Sequence, residues 1–96
     1  MEFSGKKVTV VGTGISGIGA VGLLNAVGAE VVLYDGNEKL KIEDIEKKLG
    51  TYKAEIVLGE LTKELTDSSD LLVISPGVPI DSPVVKAFEA AGVPVW

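Results

Sequence analysis

Apolar positions along this chain alternate between two rhythms. Val8-Thr9-Val10-Val11 is an unbroken β-branched run, the pattern of a strand buried on both faces. Ile15, Ile18, Val21 and Leu24 then recur at helical spacing until Gly28, which suits a C-terminal cap. Glu30 to Tyr34 predicts a second strand. Ile42, Ile45 and Leu49 mark the inward stripe of a second helix, closed by Gly50. Its other face carries Glu43 with Lys47 and Asp44 with Lys48, acid-first pairs that support a solvated helix. Ala54 to Leu58 predicts strand three, Leu61 to Leu65 a short helical turn, and Thr66 to Asp70 a polar surface loop. Leu71-Leu72-Val73-Ile74 is strand four. The last helix has Ser82 as N-cap and Pro83 at its first position, turns Val84, Phe88 and Ala91 inward, and stops at Gly92. Val93-Pro94-Val95-Trp96 begins a fifth strand whose proline fits a sheet edge.

Strands alternating with helices imply a parallel sheet. Right-handed crossovers and a chain reversal after strand three give the order 3-2-1-4-5. The expected fold is therefore α/β: a Rossmann-like three-layer domain with a five-stranded parallel sheet and helices on both faces. At 96 residues the chain is one domain, residues 1–96.

The junction between strand one and the first helix carries the candidate chemistry. Gly12, Gly14 and Gly17 stand in G-x-G-x-x-G spacing. The first permits a tight turn, the second lets backbone approach a phosphate, and the third lets helix pack on strand. The helix N-terminus adds free N–H groups and about half a positive charge from its dipole, so an anion is attracted without a basic side chain. Asp35 ends strand two, 21 positions beyond Gly14, where such folds place the residue that reads a nucleoside. The stiff loop Ser75-Pro76-Gly77-Val78-Pro79 follows strand four. The predicted order puts it across the switch-point crevice from the glycine turn.

Composition narrows the reading. The chain has no cysteine and no histidine, which excludes disulfides and thiol chemistry and makes a zinc site untenable. A net charge of -5 and a pI near 4.6 oppose a nucleic-acid or anionic-membrane surface. No segment is long and apolar enough to span a membrane, and Met1 to Lys7 lacks a signal-peptide core, so nothing directs the chain out of the cytoplasm. Ending inside a strand, the chain reads as a piece of something larger.

Taken together, Gly5-Lys6-Lys7-Val8, the Gly-Thr-Gly-Ile-Ser-Gly turn, Leu33-Tyr34-Asp35, Asp70 to Pro79 and Ala91-Gly92-Val93-Pro94-Val95 resemble the N-terminal domain of the Mur ligase family, of the type that adds D-glutamate in peptidoglycan synthesis. The strand ending in Ser-Pro-Gly-Val-Pro is the more particular part of the match. The resemblance implies a domain that holds the UDP moiety of UDP-N-acetylmuramoyl-L-alanine. Backbone N–H groups at Ile15, Ser16 and Gly17 would take the diphosphate, with Gly14 lining the same site. Asp35, with Gly36 and Asn37 beside it, would take the uracil, and Ser75, Pro76, Gly77 and Val78 would line the opposite wall. It further implies ATP and magnesium in the parent enzyme, and central ATP-binding and C-terminal domains absent here. No G-x-x-x-x-G-K-[ST] loop occurs in the chain, so no catalytic or metal-binding residue is assigned, and the chain is expected to anchor substrate only. Two other classes stay open: an NAD(H)-binding domain of a dehydrogenase or regulatory module, with Asp35 on ribose, and a scaffold whose glycine turn is only packing.

Overall fold

A computed structural model describes residues 3–96. Eight elements alternate along the chain: β1 (Lys7–Val11), α1 (Ile15–Ala26), β2 (Glu30–Asp35), α2 (Ile42–Leu49), β3 (Glu55–Leu58), α3 (Lys63–Ser68), β4 (Leu71–Ile74) and α4 (Pro83–Ala90). The strands form one parallel sheet in the order β3-β2-β1-β4. In β1 the register sets Val11 level with Tyr34 of β2 and Ile74 of β4, so three strands end side by side. The central β1 has both neighbours, which is why its β-branched run is buried from Val8 to Val11.

Period-two alternation divides the core in two. Val8, Val10, Val31, Leu33 and Leu71 pack with Val21 and Leu24 of α1 and with Ile45 and Leu49 of α2. Val11, Val32, Tyr34 and Leu72 pack on the other face with Leu65 of α3 and with Val85 and Phe88 of α4. Helices thus cover both faces, giving three layers.

Three expectations from the sequence need correction. The sheet has four strands rather than five. The C-terminal segment does run parallel beside β4, with Trp96 N–H donating to Leu72 O at 2.7 Å and Leu72 N–H to Pro94 O at 2.9 Å, but only Val95 forms a bridge. Pro94 has no N–H to extend the ladder. The polar run from Thr66 is not a surface loop: α3 continues to Ser68, and Thr66 and Ser69 are buried. Their hydroxyls are satisfied internally, Thr66 Oγ1 donating to Lys63 O and Ser69 Oγ to Leu65 O, while Ser69 Oγ also bonds buried Thr9 Oγ1 at 2.7 Å. Two helical stripes are displaced. Ile42 is exposed, and α4 buries Val85 with Phe88 whereas Ala91 is exposed. Ser82 does occupy the N-cap of α4 with Pro83 following it, although its side chain makes no cap bond.

Candidate functional site

The glycine turn has its shape for reasons visible residue by residue. Gly12 leaves β1 with φ +107°, a conformation side chains rarely adopt, and a Cβ there would lie 2.8 Å from Ser75 Oγ. At Gly17 a Cβ would meet Gly12 O at 1.9 Å, so only glycine lets α1 start this close to β1. Gly14 differs from both. Its backbone is extended, and a Cβ there would meet nothing within 4 Å. The space over Gly14 is open.

Gly14 is also the N-cap of α1 and has no side chain with which to cap it. The first intrahelical bond runs from Ile18 N–H to Gly14 O at 3.0 Å. The N–H groups of Ile15, Ser16 and Gly17 precede that bond, and among the described residues they have no acceptor outside the helix. Three backbone donors at the positive end of a helix dipole form an anion cradle. Ile15, counted in sequence as part of the inward stripe, is 95% exposed at this end of α1.

Residues 12–17, Asp35 and residues 75–78 line one open crevice of about 390 Å³ at the carboxyl ends of β1, β2 and β4. The structure therefore brings together Gly14, Ile15, Ser16 and Gly17 with Asp35 and with Ser75, Pro76, Gly77 and Val78. Gly36 and Asn37 are exposed and adjoin Asp35 without lining that hollow. Ser75 faces inward: its hydroxyl donates to Val11 O at 2.9 Å and ties the end of β4 under the turn. Val78 N–H donates to Ser75 O at 2.9 Å, closing a turn with Pro76 and Gly77 at its two central positions.

Asp35 is held from two sides. Its Oδ2 accepts from the Thr13 hydroxyl at 3.0 Å and from Thr13 N–H at 3.3 Å, and its Oδ1 accepts from Asn37 N–H at 3.0 Å. Behind it, Gly59 N–H donates to Asp35 O at 2.9 Å and Gly59 O accepts from the Tyr34 hydroxyl. Burial first, then the charges of Asp35 and Glu60, push the Tyr34 phenol above its ordinary value. Thr13 was absent from the residues predicted for the site. A hydroxyl residue between the first two glycines, with an acid at the end of the next strand, was the available signal. Lys48, read in sequence as part of a solvated face, borders a second hollow with Gly14, Ile15 and Ile18.

Fold and crevice define a Rossmann-like α/β domain with its glycine turn at the topological switch point. Within that class, residues 6–96 match the family described as Mur ligase MurD-like, N-terminal domain, and the chain belongs to this family. It is 62% identical, over all of its length, to the UDP-N-acetylmuramoylalanine--D-glutamate ligase of Lachnospira eligens, and 50% identical over 99% of its length to the enzyme of that name from Lachnoclostridium phytofermentans. The chain spans 21% of the length of each. Solved structures of similar fold include shikimate dehydrogenase from Aquifex aeolicus, with TM-score 0.68 and 18% identity over 98% of this chain and 42% of that one. D-2-hydroxyisocaproate dehydrogenase aligns with TM-score 0.58 and 26% identity over 93% of this chain and 24% of that one.

Proposed function

We propose that this domain anchors the UDP end of UDP-N-acetylmuramoyl-L-alanine for a cytoplasmic ligase that joins that substrate to D-glutamate at the expense of ATP. The observation that carries the reading is the meeting, in one crevice, of three uncommitted helix N-terminal N–H groups with the carboxylate of Asp35. The diphosphate lies on Ile15, Ser16 and Gly17, where the open space over Gly14 admits it. Asp35 accepts a hydrogen bond from the uracil, and the Ser75 to Val78 turn forms the far wall. The names of the relatives supply the substrate and D-glutamate, and their greater length leaves room for the catalytic parts.

ATP and magnesium do not fit the residues present. The sequence has no G-x-x-x-x-G-K-[ST] loop, and among the described residues no group of three or more His, Cys, Asp or Glu side chains could hold a metal. This chain binds and orients, and the amide-forming chemistry belongs to the rest of the ligase.

The test is calorimetric titration of the chain with UDP and with NADH, alongside Asp35→Ala. UDP binds and NADH does not, and Asp35→Ala weakens UDP by about tenfold, the worth of one hydrogen bond to a charged acceptor. NADH binding more tightly than UDP would assign the crevice to a nicotinamide cofactor instead.

A further inference from the structure

The hydrogen bonds around Asp35 limit what that residue can still do. A carboxylate offers about four acceptor sites, two on each oxygen. The Thr13 hydroxyl and Thr13 N–H occupy both sites of Oδ2, and Asn37 N–H occupies one site of Oδ1. One acceptor site is left, and it lies on Oδ1. Thr13 itself is only 6% exposed, in a turn whose backbone is fixed on either side by Gly12 and the start of α1.

We propose that Thr13 is a positioning residue that sets nucleotide specificity: by saturating Oδ2 it turns Asp35 into a single-site acceptor. A ligand that presents one N–H, such as the imide of uracil, meets that acceptor in full. A ribose gripped through two adjacent hydroxyls needs a free site on each carboxylate oxygen, and Oδ2 has none to give. The proposal rests on the uridine reading above. It adds the reason why this fold, which also serves dehydrogenases, would here favour a pyrimidine nucleotide over a dinucleotide.

The experiment compares the wild-type chain with Thr13→Val, Thr13→Ser and Asp35→Ala, using UDP, NADH and inorganic pyrophosphate as probes and a thermal melt as the check on folding. Valine keeps the shape and removes the hydroxyl, whereas serine keeps the hydroxyl. In Thr13→Val the UDP Kd rises about tenfold, as expected for losing the alignment of one charged hydrogen bond. The preference for UDP over NADH shrinks with it, and pyrophosphate binding stays within about twofold because the helix terminus is untouched. Thr13→Ser binds all three probes as wild type does; should valine fail to fold, Thr13→Ala is read in its place. Wild-type UDP affinity in Thr13→Val, or equal loss of UDP and pyrophosphate, would overturn the proposal. Weakening of UDP by Asp35→Ala without any effect of Thr13→Val overturns it alone, while UDP binding indifferent to Asp35→Ala removes the uridine reading and this proposal together.

Discussion

The two ends of the β-sheet are built from the same strands and used differently. At the amino end, backbone groups of neighbouring elements are tied to one another by hydrogen bonds. Lys7 N–H donates to Asp70 Oδ2 at 2.9 Å and Asp70 N–H to Lys7 O at 2.7 Å, while the Asn25 side chain clamps the Lys53 backbone through bonds of 2.8 and 2.6 Å. Two hollows of about 600 and 630 Å³ open there, both larger than the crevice at the other end. At the carboxyl end, by contrast, the N–H groups of Ile15, Ser16 and Gly17 are left uncommitted beside a carboxylate with an acceptor site to spare. Size therefore does not mark the site in this molecule. Uncommitted backbone donors do, whereas the amino end commits the backbone groups named above to holding the sheet together.

The sharpest way to break this contrast lies within the glycine turn. Gly17→Ala forces a methyl onto Gly12 O and should cost about 3 kcal/mol or more, read from denaturant unfolding. Gly14→Ala points its methyl into open space and should cost under about 1 kcal/mol, yet weaken UDP binding by about tenfold or more. Unchanged UDP affinity in Gly14→Ala would mean that the space over Gly14 is not reserved for a ligand. At the other end, Asn25→Ala removes both bonds to Lys53 and should cost about 2 kcal/mol, with UDP affinity within about twofold of wild type. A parallel loss of affinity would show that the ends are not separable.

Smaller effects sharpen the picture. The Tyr34 phenol is raised above the ordinary value of about 10, so its contribution is complete below that pH and is lost as pH climbs through the folded value. Tyr34→Phe should cost about 1 kcal/mol at neutral pH through the lost bond to Gly59 O, and should flatten the decline in stability at alkaline pH. An unchanged alkaline decline would assign it to other groups. Lys48→Ala should weaken UDP by only about two- to threefold at low salt, an effect that vanishes near ~0.5 M salt, as expected for an exposed charge near the cradle.

What was legible in the sequence follows from the same physics. The strands, the glycine turn and the place of Asp35 were readable because each depends on a local rule: β-branched runs, glycines at Gly12 and Gly17 where no Cβ fits, and an acid at a strand end; the order up to β4 followed from right-handed crossovers. The burial of Thr66 and Ser69 was not, since it depends on hydroxyl bonds to Lys63, Leu65 and Thr9 that no periodicity announces. Ile15 matched the helical stripe in spacing but stands in the first turn of α1, beyond the end of the sheet, and so faces solvent. The Thr13 bonds to Asp35 join two strand ends 22 residues apart, and a hydroxyl between the first two glycines was the one local sign of them. The fifth strand is a single bridge here: Pro94 cannot donate on its amino-terminal side, and the ladder bonds that follow reach Trp96, the last residue of the sequence.

The most direct test of the central claim is an amide-resolved NMR titration of the chain with UDP. The account predicts that shifts concentrate at Ile15, Ser16, Gly17, Asp35 and Gly77, while Lys7, Asn25, Gly28 and Lys53 at the opposite end stay still. Shifts centred on the larger amino-end hollows, or a glycine turn that responds to NADH and not to UDP, would contradict it.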